Sequence, residues 1–117
     1  MKYLKKFENL IVPKIGDYIL TKLPIDDVDE ITMIINKFLN ENIGKIVGIN
    51  RHPVEYSYYV QYDNIPKDLF TNFNYTKHRE DVIQYENYRI INLRYILHFS
   101  DKLFDINILK NANKFNL

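Results

Sequence analysis

Cysteine is absent from this 117-residue chain, which excludes disulfide staples and all thiolate chemistry and fits a reducing compartment. Tryptophan is absent as well, and the three glycines, Gly16, Gly44 and Gly48, are too scattered to form a phosphate-cradling loop. No apolar run approaches the length of a membrane span. The stretch from Met1 to Pro13 opens with lysines, but Glu8 and Asn9 interrupt the apolar segment that a secretory leader needs. Neither sign of charge dominates: 16 basic and 15 acidic side chains leave a net charge of +1. The nearest approach to a basic cluster, Lys2, Lys5 and Lys6, falls short of the stripe that draws nucleic acid by charge alone. The chain reads as a soluble, cytoplasmic protein.

What is present is a globular composition, 46% hydrophobic and 26% charged, in a length that suits one domain covering residues 1–117. A domain of this size can bury a core without covalent help. Ten tyrosines and seven phenylalanines make the chain rich in aromatics. Tyrosine offers a ring to a thin core and a hydroxyl to water or a partner. Heavy use of Lys, Asn, Ile, Tyr and Phe also matches AT-rich codons and a low-GC genome, such as that of a phage or virus.

Periodicity divides the chain into short elements. Residues 1–12 could form a helical turn or an ordered arm, with Tyr3, Phe7 and Leu10/Ile11 on one side, ended by Pro13. Lys14 to Lys22 reads as a strand that opens on Gly16 and Asp17. Asp26, Asp27, Asp29 and Glu30 then lead into a helix to Asn40, where Ile31, Ile34, Ile35, Phe38 and Leu39 recur at helical spacing. Acidic residues at its start complement the helix dipole. Ile43 to Asn50 is a second strand with a bulge expected at Gly48. Tyr58 to Asp63 is a third, with Tyr58, Val60 and Tyr62 facing inward because the opposite phase would bury Gln61. Asn64 to Phe70 reads as a turn into a short helical segment, and Thr71 to Arg79 as a loop. Glu86 to Ile91 and Arg94 to Phe99 are the candidate last strands. Ser100 is placed to cap a terminal helix reaching about Asn111, with Leu103, Phe104, Ile108 and Leu109 as its buried face.

Candidate chemistry is sparse. His52, His78 and His98 share no metal-ligand spacing. The acidic run at Asp26 to Glu30 lacks the alternation and central glycine of a calcium loop, so helix capping accounts for it. No nucleophile elbow holds Ser57 or Ser100. Arg79, Arg89 and Arg94 lie among Glu80, Asp81 and Glu86, a pattern that suits solvated, salt-bridged faces. The residues left over for recognition are Tyr18, Arg51, Tyr56, Tyr59 and Gln61, on or beside the first three strands. Converging tyrosines could cage a cation or stack on a peptide or bases. The preferred reading divides them between core and ordinary strand surface, since tyrosine is a strong strand former.

Gly16-Asp-Tyr, Gly44 to Ile49 and Tyr59 to Asp63 resemble the strand signatures of SH3-like barrels of the Tudor and KOW type. Together with Asn64-Ile-Pro and Phe99-Ser-Asp they are also similar to small phage and low-GC bacterial proteins. The resemblance covers about half of the chain and implies a mainly β, α+β fold: a small antiparallel barrel over about 14–99. A helix inserted between the first two strands and a carboxy-terminal helix over about 100–111 complete the expected fold. The inserted helix departs from the family pattern, and no ligand-binding residue is transferred. The function expected is a non-enzymatic interaction protein that docks on a protein partner, with a phage or viral accessory, assembly or host-inhibiting factor as the form that the low-GC bias and the phage-like resemblance suggest. A nucleic-acid-binding barrel is the alternative. No cofactor and no metal are expected.

Overall fold

A computed structural model describes residues 12–51, 54–77 and 84–115. Its elements run β1 (Tyr18–Thr21), α1 (Glu30–Asn40), β2 (Gly44–Arg51), β3 (Tyr56–Gln61), a 3-10 turn (Lys67–Asn72) and β4 (Asn74–Lys77). Then follow β5 (Gln84–Asn92), a short 3-10 turn (Leu93–Tyr95), β6 (Ile96–Ser100) and α2 (Leu103–Phe115). The strands form one antiparallel sheet in the order β4-β5-β3-β2-β1-β6. The protein is therefore a mixed α+β fold built on an antiparallel sheet. The sheet is open, so the expected closed barrel is not formed. Its two edges are short, and the ladders that hold them each carry an irregularity, between Leu20 and Thr21 and between Asn74 and Tyr75. Short, bulged edges end a ladder early and discourage further pairing.

The inward phase expected for β3 is observed. Tyr58, Val60 and Tyr62 are buried and join Ile19, Ile46 and Ile91 from neighbouring strands in the core. The register of β2 on β3 shifts between Ile46 and Gly48, where the glycine predicts a bulge. Gly44 matters for a different reason: a Cβ there would stand 2.4 Å from Val60 Cγ1 and 2.7 Å from Tyr62 Cζ, so only bare backbone lets β2 begin against those side chains. At the start of β1, Gly16 adopts φ +98°, a conformation that side chains resist. The resulting turn is tied by Asp17, whose buried carboxylate accepts from the Lys14 backbone N–H at 3.0 Å and from its ammonium at 3.2 Å.

Helix α1 begins where its acidic lead predicts. The Asp29 carboxylate accepts from the Thr32 N–H at 2.8 Å, and its hydrogen bonds with Thr32 hold its pKa below the usual carboxylate range. Ile35 and Leu39 enter the core, and Phe38 meets the rings of Tyr62 and Phe73 at 6.1 and 6.0 Å. Ile31 and Ile34 remain exposed. Near the far end, the Asn40 side-chain oxygen accepts from Thr21 Oγ1 at 2.9 Å and from the Leu23 N–H at 2.8 Å, while its amide donates to the Leu23 carbonyl at 3.0 Å. Asn36 donates to the Pro24 carbonyl at 2.7 Å. These bonds strap the helix to the chain leaving β1.

The second half departs more from the sequence reading. The expected turn after Asn64 is present and delivers Ile65, Leu69 and Phe73 to the core. The segment expected as a loop, Thr71 to Arg79, instead contains β4, paired with β5; its polar sequence hides a strand created by pairing. Residues 78–79 lie outside the described residues. The candidate strand Arg94 to Phe99 begins as a 3-10 turn, with β6 starting at Ile96. Helix α2 starts at Leu103, later than a cap at Ser100 requires. Ser100 Oγ accepts from the Lys102 N–H at 3.1 Å and donates to the Asp105 carboxylate at 3.1 Å, shaping the turn before the helix.

The face that α2 buries also differs. Ile106 is fully buried, whereas Leu103, Phe104 and Ile108 are 43%, 72% and 51% exposed and Leu109 is half-buried. The short link from β6 lays α2 against β1 and β6. That docking angle decides which of two possible apolar faces turns inward. Leu20 on β1, like Ile106, is buried outside the main core cluster. Among the described residues, no helix is long and apolar enough to cross a membrane. The arm expected over residues 1–12 lies almost wholly outside the described residues.

Candidate functional site

Strand register places two of the candidate recognition residues on one rung. Tyr18 pairs with Lys45, Lys45 with Gln61, and Gln61 with Tyr88, a line across four strands. These positions lie on the face opposite the main core cluster, because β3 turns Tyr58 and Val60 inward, although Tyr88 is itself buried there. The Lys45 ammonium lies 5.6 Å from the centre of the Tyr18 ring, an exposed cation–π contact. A cleft of about 510 Å³ opens beside them, walled by Tyr18, Lys45, Gln61, Asp63, Asn64 and Leu103. It offers amides, one cation, one carboxylate and a phenol.

The other candidates do not join it. Tyr59 sits on the next rung, opposite Gly48 and Ile90, with its ring 5.5 Å from that of Tyr88. Arg51 and Tyr56 pair at the far end of the β2–β3 hairpin, about 20 Å from Lys45 at the usual rise per strand residue. Tyr56 packs partly into the core and meets the Tyr58 ring at 6.4 Å. The structure thus brings Tyr18 and Gln61 together, sets Tyr59 on the adjacent rung against Tyr88, and leaves Arg51 and Tyr56 at the far end of the hairpin.

The buried tyrosines have unusual electrostatics. The Tyr58 and Tyr62 hydroxyls are enclosed and meet no hydrogen-bond partner among the described residues. Burial pushes both pKa values up. For Tyr62 the Thr21 hydroxyl and Arg89 oppose the shift without a hydrogen bond of normal geometry. Arg89 is half-buried beside them: its guanidinium lies 6.0 Å from the Phe73 ring centre and donates to the Asn72 carbonyl at 2.7 Å. Desolvation lowers its pKa, and Tyr62 opposes that change. Of the salt-bridged faces expected around the arginines, Arg79, Glu80 and Asp81 lie outside the described residues. Arg94 forks onto both oxygens of the Glu55 carboxylate, fastening the last 3-10 turn to the hairpin. Its hydrogen bonds hold Glu55 below the usual carboxylate range.

No group of three or more His, Asp or Glu side chains is placed to hold a metal among the described residues. His98 is half-buried on β6 opposite Leu20; His52 and His78 lie outside the described residues. Ser57 shares a polar rung with Asn50 and Asn92.

Two surfaces were not read from the sequence. Between α1 and the first 3-10 turn runs a groove of about 340 Å³ walled by Met33, Ile34, Phe38, Pro66 and Leu69, with Lys37, Glu41 and Asp68 at its rim. On α2, Phe104 and Ile108 each stand two residues from the buried Ile106. At about 100° per residue, this puts them together on the opposite side of the helix. Their i, i+4 spacing is the signal the sequence holds, and by period alone it reads as a core face. No family model, curated protein or solved structure matches the chain.

Proposed function

We propose that this protein is a non-enzymatic interaction module that docks on a protein partner, and that its sheet is an open variant of an SH3-like small barrel. The barrel reading draws support from the strand order: the last strand returns after a 3-10 turn to pair with the first, and β2 bends at a bulge beside Gly48. The observation that carries the docking reading is the outward stripe of α2, where Phe104 and Ile108 are 72% and 51% exposed. Large apolar side chains grouped on one helix face are typical of anchors that insert into a partner. The neighbouring cleft beside Leu103, with Tyr18, Lys45 and Gln61, supplies the polar margin of such a contact.

The test is affinity capture from a native lysate by the wild-type protein and by a Phe104→Ser/Ile108→Ser variant. The wild type is expected to retain a defined protein that the variant releases. Equal retention by both, or none by the wild type, contradicts the proposal. Retention of DNA or RNA that weakens as salt rises would favour the nucleic-acid alternative instead.

A further inference from the structure

We draw no further inference here: the strongest candidate, the outward apolar stripe of Phe104 and Ile108 on α2, already carries the proposed docking, and nothing in the structure shows what covers it.

Discussion

Helices α1 and α2 are of similar length, yet they are held in opposite ways. Helix α1 carries a side-chain cap at Asp29, sends Ile35 and Leu39 into the main core, and is strapped to the end of β1 by Asn40. Helix α2 lies on the sheet with Ile106 enclosed, while Leu103, Phe104, Ile108 and Leu109 remain partly or mostly exposed. The contrast teaches that amphipathic spacing has two uses in one small chain. In α1 it builds the fold; in α2 a second apolar face stays exposed, and it is this face that we propose for docking.

The comparison can be broken most severely at Leu39. Its side chain is 1% exposed within the core, so Leu39→Ala is expected to cost about 2–5 kcal/mol in urea-unfolding free energy. A loss below about 1 kcal/mol would show that α1 is no better anchored than α2. Next comes Asn40→Ala, which strands the Thr21 hydroxyl and both backbone groups of Leu23. A loss of about 1–3 kcal/mol is expected, read by the same titration. Wild-type stability in that variant would mean that water replaces the strap.

Tyr62→Phe sharpens the picture of the core on which α1 sits. The hydroxyl removed is buried and makes no hydrogen bond of normal geometry among the described residues, so stability should change by less than about 1 kcal/mol or rise. The alkaline limb gives an independent readout. Tyr62 in the folded protein ionises above its ordinary value near 10, so its contribution is intact below that pH. It is lost as pH rises further, because the unfolded chain ionises first. The phenylalanine variant should therefore lose stability less steeply above about pH 10 than the wild type does. An identical alkaline slope would contradict that assignment.

Much of the α1 side of the molecule was legible because its signals are local. An acidic start, an unbroken apolar period and a period-two strand with only one tolerable phase locate α1 and β3 without tertiary information. Gly16 and Gly48 mark a turn and a bulge for similarly local reasons. What could not be read depends on neighbours. Asn74 to Lys77 becomes a strand only because β5 lies beside it, and its polar residues give no alternation of their own. Along α2, Leu103, Phe104, Ile106, Ile108 and Leu109 allow more than one buried face, and the link from β6 selects among them. The recognition residues were legible as types, not as a set: register unites Tyr18 with Gln61 and sends Arg51 with Tyr56 to the other end of the hairpin.

The smallest expected effect on stability belongs to the outward face of α2, and there the central claim is most exposed to test. Surface substitutions of this kind usually stay within about 0.5 kcal/mol. The decisive measurement is partner capture by Phe104→Ser/Ile108→Ser protein whose urea midpoint has been checked against the wild type. The account predicts an unchanged midpoint and loss of the captured protein. An unchanged midpoint with full capture would contradict it.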